Sequence, residues 1–218
     1  MEKKLLQEAL HYNMAVVGGI FGGYAVLDWF DNLGSAATSN LIHFVIALVG
    51  GNLEEAVIRL GGVGFYFFGA ALTVLITRKT KFNVKFISLA ISLIAAFICG
   101  ILPETTNRIV ALYPIFFAMS VQWCSFKGVY GFACSTIFST NNLKQTAIGI
   151  TDYLCTKDEG QLLRARFFGT TLIFFHIGVV ICYLLWVNIG IHCIWIAAVP
   201  LLSGGALTYI EDKQNKKS

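Results

Sequence analysis

Residues 167–210 read FFGTTLIFFHIGVVICYLLWVNIGIHCIWIAAVPLLSGGALTYI, without one Asp, Glu, Lys or Arg. A helix rises about 1.5 Å per residue and a hydrocarbon layer is about 30 Å thick, so roughly 20 apolar residues cross it. This stretch is long enough to cross twice. Outward from it, Leu60–Thr77 and Phe86–Leu102 are also free of charge. Of the 218 residues, 56% are hydrophobic and 13% charged, where an average soluble domain carries about 25% charged residues. Half the usual charge cannot cover a water-facing surface. The composition implies an all-α, polytopic membrane protein and excludes a secreted disulfide scaffold, a nucleic-acid binder and an ordinary cytosolic enzyme.

The net charge of +4 reports which loops face the cytoplasm rather than affinity for nucleic acid. Cys99, Cys124, Cys134, Cys155, Cys182 and Cys193 are scattered through apolar stretches, with no Cys-x-x-Cys pair and no zinc-like spacing. They read as small packing residues. Met1-Glu2-Lys3-Lys4 imitates the charged start of a signal peptide, but no small-x-small cleavage site follows, so the segment is expected to be retained. Over residues 1–13, Leu5, Leu6, Ala9 and Leu10 share a face opposite Lys3, Lys4, Gln7 and Glu8. That pattern suits a short helix lying at the membrane interface, or a frayed tail.

Eight apolar segments follow, near 14–30, 36–50, 57–77, 86–102, 109–126, 132–151, 167–186 and 189–210. The first pair is broken by Asp28, Asp31, Asn32 and Gly34, and the third pair by Lys127, Gly128 and Gly131. Thr38-Ser39-Asn40-Leu41 is matched in the second half by Thr140-Asn141-Asn142-Leu143, and Phe67-Phe68-Gly69 by Phe167-Phe168-Gly169, at nearly the same offset. In each half a broken pair precedes two clean segments. The chain therefore divides into repeats, 1–107 and 108–218.

Basic residues choose the topology. If each broken pair crosses once, giving about six transmembrane helices plus two re-entrant or broken half-helices, every Lys and Arg except Arg59 and Arg108 falls inside with both termini. If all eight segments cross, the Arg78–Lys85 cluster and Lys127 move outside, against the positive-inside bias. Three crossings per half is an odd number, so the second repeat is inverted relative to the first. The expected location is the cell (inner or plasma) membrane, multi-pass, with cytoplasmic termini.

Inverted repeats with interrupted helices recur in secondary transporters, with the site near the midplane where the breaks meet. The 11 residues from 41 to 51 span about 16 Å, half a membrane. The candidate solute-binding residues are Asp28, Thr38, Ser39 and Asn40 in the first half and Gln122, Thr140, Asn141 and Asn142 in the second. Thr, Ser and Asn also cap helices through their side-chain oxygens, which is sufficient reason for them to stand at these positions. A half-helix N-terminus aimed into the membrane is itself an anion- or dipole-binding element. An intramembrane carboxylate such as Asp28 costs about 2.5–3.5 kcal/mol and usually marks an ion path, unless it is interfacial beside Trp29. His43 and His176 are candidate proton-relay groups, with an interhelical hydrogen bond as the plainer role. Glu54, Glu55 and Arg59 read as an outer loop with a helix-surface charge pair.

The His-Glu-x-x-His, Gly-x-Ser-x-Gly, phosphate-loop and Rossmann signatures are missing. No catalytic residue, metal ligand or cofactor is assigned, and the chain is not expected to be an enzyme.

Gly22-Gly23-Tyr24-Ala25-Val26-Leu27-Asp28, a Gly-rich first segment ending in Asp, followed by Thr38-Ser39-Asn40, resembles the YoaK-type family of bacterial integral membrane proteins, a domain of unknown function. The resemblance continues through Met119-Ser120-Val121-Gln122 and Thr140-Asn141-Asn142-Leu143 and covers nearly the whole chain. The central glycine of the family's Thr-Gly-Asn is replaced by Ser39 and by Asn141. The resemblance implies the fold and carries no substrate with it.

The expected activity is a permease for a small polar solute or ion, moving between the two Thr-x-Asn elements, with a channel as a close variant. The alternative is a non-transporting membrane scaffold or partner subunit, in which these residues only cap and join helices. The expected partners are the lipid bilayer and that solute, and a homo-oligomer is compatible with the pattern.

Overall fold

The computed structural model describes residues 2–29, 37–103 and 105–216. Asp31, Asn32 and Gly34, named above as breaks in the first half, lie outside the described residues. Among the described residues the fold is all helix and loop: α1 (Glu2–Trp29), α2 (Ala37–Val49), α3 (Leu53–Lys79), α4 (Val84–Cys99), α5 (Tyr113–Ser125), α6 (Thr140–Thr156), α7 (Glu159–Ile189) and α8 (Ala198–Asn215). Short 3-10 stretches, Val110–Leu112 and Gly190–Ala197, lead into α5 and α8.

Local chemistry sets the ends. The Asn52 side chain caps α3 by accepting from the Glu55 N–H (3.2 Å), and Asn83 caps α4 by accepting from Lys85 N–H (3.0 Å). Glu54 and Glu55 lie in the first turn of α3 and Arg78 and Lys79 in its last, each sign matched to the helix dipole. Lys157 takes a left-handed conformation (φ 59°) to end α6, and Asp158 at once caps α7 through the Gly160 N–H (2.9 Å). Gly190, at φ 57°, ends α7 and lets the apolar stretch 159–215 double back.

Three stretches, Lys3–Asp28, Leu53–Lys79 and Glu159–Asn215, are long and apolar enough to cross a membrane; the helices of 37–49, 84–99 and 110–125 are apolar but shorter. By length and composition this is a membrane protein. Residues 2–13, expected as a separate interfacial helix, are instead the first turns of α1, which is continuous. Leu10 and His11 are already buried there because α1 is the central helix: 72% of its apolar window is covered, against 17% for α3.

Cross-helix contacts fix each direction. His11 and Tyr12 lie against Phe167, and the Trp186 indole donates to Asp28, so α1 and α7 run parallel. Tyr113 donates to the Ile58 carbonyl and Ser120 to that of Tyr66 (both 2.6 Å), so α3 and α5 are parallel as well. Lys85 sits over Phe126 while Cys99 reaches the Ala111 carbonyl, so α4 opposes α5. Glu211 accepts from Gln7 (3.0 Å) and pairs with Lys85 (2.6 Å), while Pro200 meets Asn13 and His192 meets Gly100; α8 therefore opposes α1 and α4. Thus α1, α4 and α7 point one way and α3, α5 and α8 the other. The loops holding Arg78–Lys85, Lys127 and Lys157–Arg166 gather at the end where α1 begins and α8 finishes, the basic end.

Four helices are short, α4 and α5 among them, but α2 and α6 alone of the four each pack chiefly on one neighbour. The 13 residues of α2 rise about 20 Å and pack against α3 through a hairpin at Gly50-Gly51-Asn52, with Gly51 at φ 78°. The 17 residues of α6 pack against α7. Of the expected apolar segment 132–151, the first part is not helical. After α5, Gly128 (φ 122°), Tyr130 (φ 59°) and Gly131 (φ 80°) reverse the chain at the basic end, and residues 132–139 return into the bundle without helix. Their depth is set by Gly18, halfway along α1: a Cβ there would overlap the Thr136 carbonyl.

Candidate solute pathway

The break at 132–139 brings unpaired backbone into the middle of the bundle, and such groups must be satisfied internally. Asn142, 1% exposed on the first turn of α6, does most of this. Its amide donates to the Ser135 carbonyl (2.7 Å), and its oxygen accepts from Ser135 N–H (3.3 Å) and the Cys134 thiol (3.5 Å). The Ser135 hydroxyl in turn accepts from the N–H groups of Ile137 and Phe138, both at 3.2 Å. Cys134 also reaches Thr171 on α7 (3.4 Å), so the returning segment, α6 and α7 are tied together.

Gln122 lies at the same depth on α5, completely buried. Its amide donates to the Met14 carbonyl of α1 (2.9 Å) and to the Thr136 hydroxyl (3.0 Å). No partner among the described residues meets its oxygen, nor the buried hydroxyls of Ser88 and Ser92 on α4. These atoms have capacity that the protein leaves unused, in a place where an unmet polar atom is costly.

The first-half element lies elsewhere. Asn40, also 1% exposed, accepts from the Arg59 guanidinium (3.1 Å), which pairs with Glu55 (2.7 Å). The pair expected on an outer helix surface is thus only half there. Arg59 is 8% exposed and turned inward, because α2 covers that face of α3. Thr38 and Thr140 are exposed, Ser39 and Asn141 half-buried, and only the Asn of each motif faces protein. Asn40 is held on the α2–α3 hairpin and Asn142 on α6–α7.

Asp28 is half-buried near the end of α1 and accepts from the Trp186 Nε1 at 2.5 Å, at the opposite end from the basic loops. His43 and His176 face outward on α2 and α7, and His176 Nδ1 meets only its own helix at the Leu172 carbonyl (2.8 Å). Neither histidine is brought to the break. The buried histidine is His11, 3% exposed, which the reading of residues 1–13 as interfacial left out. It lines a cavity of about 190 Å³ at the basic end, together with Gln7, Lys85, Ser125, Lys127 and Gly128. Beside this mouth Tyr130 lies under Lys4, and its phenol is held above the usual value, by burial first and then by the Glu8 carboxylate. Among the described residues no cluster of three or more His, Cys, Asp or Glu could hold a metal ion.

Residues 10–207 match the family model described as protein of unknown function (DUF1275). The chain belongs to this family. No curated protein and no solved structure matches it. The DUF1275 match begins at Leu10, inside α1, and ends at Leu207, inside α8. It therefore takes in both Thr-x-Asn elements, the 132–139 break and His11. What sequence reasoning missed was the Gln122–Met14–Thr136 junction and the His11 cavity. A local sign was present for the first, since Lys127, Gly128 and Gly131 marked a break; for the second, His11 within a basic, polar start gave no sign of burial.

Proposed function

We propose that the protein is a multi-pass permease for a small polar solute or ion, built as two inverted three-helix units, 1–107 and 108–218, with both termini on the basic, cytoplasmic side. Support for the repeat comes from an exchange of partners. Replacing α1, α2, α3 and α4 by α5, α6, α7 and α8 turns the α1–α7 pair into α5–α3, α2–α3 into α6–α7 and α4–α5 into α8–α1, while α4–α8 maps onto itself. The helix directions up, down, up in the first unit and down, up, down in the second fit six crossings, with α2 and α6 as half-helices.

The observation that carries transport is the returning segment 132–139 at the depth of Gly18 and Gln122. Non-helical backbone at such depth is tolerated where it is packed in protein or lines a wet cavity, and the open oxygen of Gln122 beside it favours the second. The solute path runs along α1 and α5, past Gln122 and Thr136, with the two half-helices as the parts that move. No enzymatic step is assigned to it. The scaffold reading draws support from Asn142, whose amide is fully used in holding Ser135.

Proteoliposomes separate the two. Stopped-flow swelling against gradients of urea, glycerol, ammonium chloride and sodium acetate is expected to show at least one solute entering faster than in empty vesicles. Gln122→Leu, which keeps the volume and removes the amide, is expected to lower that rate about tenfold while the protein still inserts. Rates equal to empty vesicles for every solute would favour the scaffold.

A further inference from the structure

We propose that the cavity at the basic end is a binding site for a small oxyanion, a carboxylate or phosphate group of few heavy atoms. The cavity measures about 190 Å³ and is lined by Gln7, His11, Lys85, Ser125, Lys127 and Gly128, so two ammonium groups and no carboxylate face it. That size is below the several hundred Å³ of most organic-ligand pockets, and only a small group fits.

The charges around it are partly committed. Lys85 is neutralised by Glu211 at 2.6 Å, Gln7 donates to the same carboxylate, and Ser125 donates to the Val121 carbonyl (2.7 Å). The first turn of α4, favourable to an anion, lies beside the last turn of α5, which is not, so the two helix dipoles offset each other. Two groups remain. Lys127 is exposed and makes no ion pair among the described residues, and His11 Nε2, on a side chain 3% exposed, has no hydrogen-bond partner among them. A buried ring nitrogen left open, which donates in its Nε2–H tautomer, beside a surplus ammonium suits an acceptor carrying negative charge. A cation would meet the ammonium of Lys127 with no carboxylate in the lining to offset it.

One turn deeper on the lining helices stand Ser88 on α4 and Gln122 on α5. The site therefore lies at the inner mouth of the proposed path, but binding itself does not depend on transport. The anion reaches the mouth from solution or as the phosphate of a lipid headgroup, and both present the same oxygens.

The test uses the full chain. In phospholipid-free detergent, inorganic phosphate and acetate are titrated at constant ionic strength against the thermal midpoint, with potassium chloride and choline chloride as controls. In a second arm, nanodiscs of phosphatidylglycerol are compared with phosphatidylcholine. Phosphate or acetate is expected to raise the midpoint saturably. Lys127→Gln, at an exposed loop position that leaves folding intact, is expected to weaken the apparent affinity about tenfold, the loss of one charge-assisted bond, and His11→Gln similarly. A response confined to phosphatidylglycerol and lost in Lys127→Gln assigns the oxyanion to a headgroup and supports the site. Shifts that are the same in wild type and Lys127→Gln, or no shift in either arm, overturn it. Anion binding without flux would leave the site standing and remove the permease; flux of a neutral solute without Lys127-dependent binding would do the reverse.

Discussion

In the second half, Asn142 gives both sides of its amide to the backbone of a non-helical segment, bonding the carbonyl and the N–H of Ser135. In the first half, Asn40 stands at the matching motif position with the same 1% exposure, yet faces the guanidinium of Arg59. The partner, and not the motif, decides what the residue does. At 142 a neutral amide is required, because a donor and an acceptor must both be met inside the bundle. At 40 the acceptor side is matched to a buried positive charge, and Glu55 completes an ionic group on the α2–α3 hairpin. One flank of the fold is thus held by neutral hydrogen bonds and the other by charge.

Aspartate at each position breaks this comparison or sharpens it. Asn142→Asp would aim a carboxylate oxygen at the Ser135 carbonyl, now 2.7 Å from the amide nitrogen, in a site closed to water. A loss of about 3–5 kcal/mol is expected, the range for an uncompensated buried charge. Asn40→Asp keeps an acceptor for Arg59 and strengthens it, so the change there is expected to stay within about 1 kcal/mol. Thermal unfolding in detergent, followed by tryptophan fluorescence, reads both. Equal damage at the two positions would abolish the distinction drawn between the flanks.

A smaller effect tests whether the returning segment is seated as described. Alanine at Gly18 would drive its Cβ into the Thr136 carbonyl, a backbone group with no rotamer to escape through. About 1–3 kcal/mol should be lost, as in other overpacked interiors. Gly205 on α8 has open space where the Cβ would go, and Gly205→Ala should gain a few tenths of a kcal/mol up to about 1 from helix propensity. If the two alanines behave alike, α1 does not support the break and the depth assigned to Thr136 is wrong.

These contrasts also mark how far the sequence could be read. Apolar length marked the three stretches long enough to cross a membrane, and the basic loops gather at one end of the bundle, because both follow from composition along the chain. Lys127, Gly128 and Gly131 marked a break after α5, and the structure makes that break a reversal. Arg59 was misread for a physical reason. Its spacing from Glu55 is that of a surface ion pair, and only the packing of α2 on α3 turns it inward. His11 was missed because Lys3, Lys4, Gln7 and Glu8 suit an interfacial face, yet Glu8 is 5% exposed and meets Tyr12 and Tyr130. Gln122 was named as a site residue, but its bond to Met14 joins residues 108 positions apart. Local pattern holds the helices; the polar junctions are made by tertiary contact.

The smallest effect is expected where both flanks should answer in the same way. His43 on α2 and His176 on α7 face away from the bundle, and His176 bonds only the Leu172 carbonyl one turn back. An outward imidazole at membrane depth contributes little to packing, and leucine would suit the surrounding lipid. His43→Leu and His176→Leu should therefore shift stability by less than about 0.5 kcal/mol, the usual range for surface positions. Solute flux between pH 5.5 and pH 8 should be the same in both variants as in the wild type. A pH dependence of flux that disappears in His176→Leu alone would make α7 the proton-carrying flank, and the asymmetry between the halves would then extend from structure to coupling.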